Sequence, residues 1–337
     1  MGCGNAKRTG GQASHRFFSD NSFWNQPIGE NPEIDPRSDE WIALLKTEPN
    51  TQNVGINAFE WTIPVYEVDE NTPTYTIHKH TLSKAEQEHW VTKHGTFGHG
   101  PGFGENVPIP QDALPDPEED AHFAVVDWGR MLAWDMWGFR IREDGSFESN
   151  TGMKYRLDGN GVFNTQELGV GNGQSVHFYG PSRAAGVPAI AGLIMYDEVM
   201  AGKIEHKLAM ATRFNAFQEF VFPAAWTDGY VKGGIPEGAV LQLDPDLDLS
   251  QYDLTDGERV VARALQEYGA VIVDVAQGSP VYAEGLWGHP GKSWEGILHG
   301  WDQGLCTIPI DHYRVLNVGE TVKKGDARSL KFSYWDE

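Results

Sequence analysis

The sequence predicts a mainly β fold: a single-domain β-sandwich or jelly roll of two mainly antiparallel sheets, with one prominent helix and long loops. Three observations carry this. Thirty-nine glycines and nineteen prolines among 337 residues supply many turns. Between them run short segments rich in aromatic and β-branched residues, the clearest being His122 to Trp128 and Met131 to Phe139 across a Trp128-Gly129-Arg130 turn. One segment only, Asp256 to Tyr268, has a full set of helix signals.

Taken in order, the chain opens on a polar, Gly-rich tail to Ser14, expected to be disordered. The aromatic stretch from His15 to Ile28 is expected to pack across the domain. Asp35 to Ser38 caps a short helix from Asp39 to Lys46, with Trp41, Ile42, Leu44 and Leu45 apolar. Ala58 to Glu67 reads as a strand broken at Pro64, and Thr74 to His78 as another. Residues 89–121 read as a mobile loop over a cleft. They carry His89, His94 and His99, but no helix or strand face unites these for a metal, and Gly and Pro dominate between them.

In the second hairpin strand Met131, Ala133, Asp135 and Trp137 alternate with Leu132, Trp134 and Met136. Both faces are apolar, so the strand is central, and Asp135 must be paired, bonded or protonated. Gly145 to Gly159 reads as a further hairpin, and Gly171 to Arg183 as a polar loop without the strand–helix context of a dinucleotide site. From Tyr196 to Arg213 an acidic turn closes at Gly202 and a strand-like run follows. His206 shares one face of that run with Ile204, Leu208 and Met210. Asp244 to Asp248 resembles a calcium loop only superficially, because it lacks the required glycine and the closing glutamate. The helix has Thr255 with Glu258 as a capping box, a stripe of Val260, Val261, Ala264 and Leu265, and Gly269 as its stop. Ala270 to Val275 is then a buried strand carrying Asp274. No composition break divides the rest, so 15–337 reads as one domain.

Twenty-six basic against 48 acidic residues give a net charge of −22, which opposes nucleic acid, anionic membranes and strongly anionic polymers. Lys93, Lys154, Arg156, Arg183 and Arg213 are the cations near the middle of the chain. The two cysteines, Cys3 and Cys306, form no disulfide framework. No run is long enough to span a membrane, and an exported protein would have had its signal removed from this sequence. Cys3 is a candidate lipid anchor if a lipoprotein begins there, although the myristoylation pattern is only half matched because Ala6 stands where Ser or Thr is wanted. Twelve Trp, eleven Tyr and sixteen Phe fill a core or make stacking platforms for sugar rings.

The succession SFWNQPI, WDMW, AAGVPAIAGLIMYDEVMAGKIEHKLAMATR, FPAAWTDG, PEGAVLQLDPDLDLS and ALQEYGAVIVD, over most of residues 20 to 315, resembles a broad group of uncharacterised secreted bacterial proteins. These are often multi-modular and similar to components of polysaccharide-degrading systems. The resemblance implies an extracellular or cell-surface location and a carbohydrate substrate. It places its acidic residue at Asp135, its Asp-Glu pair at Asp197-Glu198, its histidine at His206, and its tyrosine and aspartate at Tyr268 and Asp274.

The expected function is therefore a glycoside hydrolase cleaving a neutral or weakly charged polysaccharide with paired carboxylates and no cofactor or metal. Asp135, Asp197, His206 and Asp274 are the candidate catalytic residues, and Trp134, Trp137, Tyr196, Arg183, Arg213 and Tyr268 the candidate substrate contacts. One alternative is a polysaccharide lyase, with His206, Tyr196 or Tyr268 as base and Arg183 or Arg213 neutralising a uronate. Another is a non-catalytic sugar-binding surface protein.

Overall fold

A computed structural model describes residues 16–80, 97–100, 102–163, 178–179 and 181–323. Cys3, Lys93, His89 and His94 lie outside them, as do residues 171–177 of the polar loop. The fold is mainly β, with several sheets and, among the described residues, three α-helices, Ser38–Leu45, Tyr196–Ala201 and Asp256–Glu267. None of the described helices is long and apolar enough to cross a membrane.

Two sheets organise the domain. The larger has six strands in the order Gly55–Asn57, Pro280–Tyr282, Leu208–Ala211, Ala270–Asp274, Val240–Leu243 and Tyr313–Val315. It is mixed rather than antiparallel, since Gly55–Asn57 runs parallel to Pro280–Tyr282 and Leu208–Ala211 parallel to Ala270–Asp274. The smaller orders Thr151–Arg156, Leu132–Trp137, Phe123–Asp127 and Val65–Glu67. Its central antiparallel pair is the predicted hairpin.

The two sheets share a core. Val65, Ala124, Val126, Ala133 and Met153 from the smaller sheet pack with Ala209, Ala211, Val271 and Val273 from the larger. The alternate residues Leu208, Met210, Ala270 and Ile272 turn to the other side and meet Val261, Ala264 and Leu265 of the Asp256–Glu267 helix. Phe123, Val125, Trp134 and Met136 fill a third cluster beyond the smaller sheet. Strands buried on both faces need apolar residues at every position, which is why these segments show no polar alternation.

The Asp256–Glu267 helix begins at the Thr255–Glu258 capping box and stops before Gly269, whose φ is 75°. Two expectations change. The acidic turn is a helix, Tyr196–Ala201, closed by left-handed Gly202, and the following strand starts only at Leu208, so His206 precedes it rather than sitting on its face. The hairpin expected over 145–159 is not one. Phe147–Ser149 pairs with Ile77–Lys79 and Arg140–Ile141, whereas Thr151–Arg156 pairs with Leu132–Trp137.

Candidate active site

A cleft of about 700 Å³ is lined by the N-terminal aromatic segment, by Val65, Tyr66, Glu67 and Val126 of the smaller sheet, and by residues that flank the larger one. That segment is pinned from several sides. Trp24 Nε1 donates to the Gly161 carbonyl at 2.8 Å, the Lys207 amide donates to the Trp24 carbonyl, and the Ile28 amide donates to Glu267. Phe17 stacks on Trp128, with centroids 5.5 Å apart and planes 7° from parallel. Trp128 is held by its Nε1–H to Glu67 Oε1 at 3.0 Å. The same cleft is lined by Asp197, Glu198, His206, Glu284, His289 and Lys292.

The Tyr196–Ala201 helix and its Gly202 stop bring Glu198 back to His206. His206 Nε2 meets Glu198 Oε2 at 3.0 Å, and Nδ1 faces the Lys207 carbonyl at 2.8 Å, to which it can only donate. Burial works against charge on this ring, but the Glu198 carboxylate and the two hydrogen bonds outweigh it, so the His206 pKa is raised. Asp197 is well exposed at the rim and pairs with Lys292 Nζ at 3.0 Å. Lys292 also lies over the Tyr196 ring, 5.3 Å from its centroid.

Glu284 follows the Pro280–Tyr282 strand and is only 2% exposed, yet it lines the cleft. Its Oε2 accepts the Tyr196 amide at 2.9 Å. Burial pushes its carboxyl up to about 7, and the acidic neighbours Asp197 and Glu198 add to the rise. At neutral pH it therefore keeps a substantial share of protonated carboxyl. His289 lies against Tyr66, with ring centroids 4.8 Å apart, and its Nε2 stands 4.0 Å from Glu284 Oε1 without a hydrogen-bond partner. Burial lowers the His289 pKa, so this ring faces Glu284 uncharged.

The structure brings Asp197 and His206 into the cleft but not the other expected site residues; Tyr196 gives its amide to Glu284 while its ring packs against Trp294 outside the lining. Asp135 is fully buried. Its Oδ2 accepts Tyr155 Oη at 3.0 Å and the Ala189 amide at 2.7 Å, and its Oδ1 accepts the Ser182 amide at 3.0 Å. Burial raises it to about 6, but both oxygens are occupied in tying a loop to the sheet. Trp134 is buried beneath Lys154, and Trp137 donates to Asp120 Oδ1 at 2.8 Å.

Asp274 and Arg183 belong to a separate internal polar cluster. Arg183 is wholly buried over the Tyr282 ring, 3.6 Å from its centroid, with Nη1 3.8 Å from Asp274 Oδ2. Burial, reinforced by Asp228, pushes Asp274 and nearby Glu237 well above the carboxylate range. Arg213 faces Glu48 at 3.7 Å, and Tyr268 is buried at the end of its helix. None of these residues lines the cleft.

Glu284, His289 and Lys292 were not singled out in the sequence. Their only local signal is an acid just past a buried strand and a polar loop after it. Of the three loop histidines, His99 alone is described; its Nε2 lies 2.9 Å from Ser149 Oγ, and burial lowers it to about 4. Among the described residues no group of His, Cys, Asp or Glu is arranged to hold a metal. No family model, curated protein or solved structure matches this chain.

Proposed function

We propose that this protein is a glycoside hydrolase acting on a neutral or weakly charged polysaccharide. Glu284 is the general acid and Glu198 its carboxylate partner. The observation that carries the reading is the pairing of environments in one aromatic-walled cleft. Burial pushes Glu284 up to about 7, so it keeps much of its proton near neutrality, and Glu198 is bonded to an imidazole whose pKa it raises. In this reading Glu284 gives its proton to the leaving glycosidic oxygen. Glu198, held by His206, attacks the anomeric carbon or activates a water. Trp128 and Phe17 offer flat faces to the sugar rings. A polymeric substrate agrees with a site of action at the cell surface or outside the cell.

The lyase reading finds less support, because neither Arg183 nor Arg213 lines the cleft to neutralise a uronate, and Lys292 is already paired with Asp197. The deciding experiment screens purified polysaccharides for new reducing ends with wild type, Glu284→Gln and Glu198→Gln. Turnover by the wild type, lost in both variants while binding persists, supports the hydrolase. Products absorbing as unsaturated uronates, or binding without turnover, would replace it with a lyase or a binding protein. The anomer released first tells retention from inversion.

A further inference from the structure

Trp301 is 39% exposed, and the ring rests on two glycines. A Cβ on Gly55 would fall 2.6, 2.7 and 2.8 Å from Cε3, Cδ2 and Cζ3 of the indole. Near-equal distances to adjoining ring carbons put that Cβ over the face of the ring, not at its edge. A Cβ on Gly278 would meet Cη2 at 2.7 Å and Cζ3 at 3.2 Å. Neither glycine has a left-handed backbone, so chain geometry does not call for glycine at either place. At Gly55 the indole does: any side chain there would lift it off the sheet. At Gly278 the Asn50 carbonyl oxygen, 2.9 Å from that Cβ, crowds the position as well. Glycine in or beside a strand costs stability, and the two here leave one aromatic ring flat against the sheet.

The two glycines lie under one ring on neighbouring segments: Gly55 pairs with Pro280, two residues past Gly278. Gly55 opens the edge strand of the six-stranded sheet, and Gly278 precedes that strand's neighbour among the described residues, Pro280–Tyr282. The inner face of Trp301 lies across both, and the outer face is left to solvent. Around the ring, Asn50, Asp302 and Gln303 are exposed. Trp301 is not part of the cleft wall.

We propose that Trp301 is a second carbohydrate-binding site, a surface platform that takes one ring of a neutral polysaccharide. A flat exposed indole matches the apolar C–H face of a pyranose, and the amide and carboxylate groups beside it can take hydroxyls. The net charge of −22 turns away polyanions. The Pro280–Tyr282 strand runs between Gly278 and Glu284, so six residues of chain set an upper limit of about 20 Å between the platform and the cleft acid. A polymer of several sugars is long enough to engage both.

The test is native electrophoresis in gels containing soluble xyloglucan, glucomannan, mixed-linkage glucan or arabinoxylan, with wild type, Trp301→Ala, Trp301→Phe and Glu284→Gln. Retardation requires no turnover, so the result stands whether or not the cleft hydrolyses anything. Wild type and Glu284→Gln are expected to be retarded in at least one gel. Trp301→Ala should bind that polymer about tenfold more weakly, in line with loss of one aromatic stack, and Trp301→Phe, which keeps a ring on the glycines, should lose less. Retardation of Trp301→Ala equal to wild type, or no retardation of wild type by any of the four polymers, overturns the proposal.

Discussion

Replacing Glu284 with glutamine tests the central feature of the cleft directly. The ordinary glutamate value is 4.5, and in the folded protein this carboxyl is pushed up to about 7. Between those values the unfolded chain has released a proton that the folded chain still holds, so raising the pH favours unfolding. The penalty is absent below 4.5, grows through the window and is complete above 7. At about 1.4 kcal/mol per pH unit, it comes to about 3 kcal/mol. Glutamine has no proton to lose and fills the same volume.

Urea unfolding of wild type and Glu284→Gln at pH 4.5 and pH 8 yields a double difference from which all other titrating groups cancel, apart from those touching Glu284 itself. Stability should shift towards the variant by about 3 kcal/mol on going from the lower to the higher pH. A shift below about 1 kcal/mol would mean that Glu284 titrates like a solvent-exposed carboxyl. The reasoning that makes it the acid would then fail. On the same logic, turnover should fall as pH rises through about 7, because the proton to be donated is gone.

Three further outcomes are expected. Glu198→Gln should lower kcat about 10²–10⁴-fold and bring the His206 titration, followed by NMR of its imidazole protons, back down. Because the folded His206 pKa is raised, the stability this pair supplies is present below 6.5 and lost as pH rises through the folded value. Asp135→Ala should cost about 3–5 kcal/mol in urea unfolding by leaving Tyr155 Oη and the Ser182 and Ala189 amides unpaired, whereas folded Asp135→Asn should keep near-normal specific activity. Gly304→Ala should cost about 3 kcal/mol or more, read the same way. Its φ is 63° and its Cβ would fall 1.8 Å from Oε1 of the buried helix-capping Glu258.

What could be read from sequence was what short-range rules decide. The Thr255–Glu258 box, the Gly269 stop and the hairpin around Gly129 each depend on residues a few positions apart, and each is in place. Asp135 was legible as buried, since its neighbours are apolar on both faces. That its oxygens would be filled by amides 47 and 54 positions later was not, because those amides come from an irregular loop. His206 was found for an incomplete reason: the alternation placed it on a strand, but a helical turn and a left-handed glycine bring it to Glu198. Glu284 was missed because nothing near it in the chain reveals its environment. Tyr66, Tyr196 and Trp294 meet it only after folding.

The parallel pairing of Gly55–Asn57 with Pro280–Tyr282 has a consequence for how the molecule comes into being. An early edge strand waits for its partner until most of the polypeptide has left the ribosome. At about 5–20 residues per second that delay is roughly 10–45 s. Through that interval the edge is uncovered, and Glu284 has not yet been made. Newborn chains are thus exposed to mispairing until residues 280–282 are made, and slowing synthesis after residue 57 should lower the yield of soluble protein more than slowing it after residue 292.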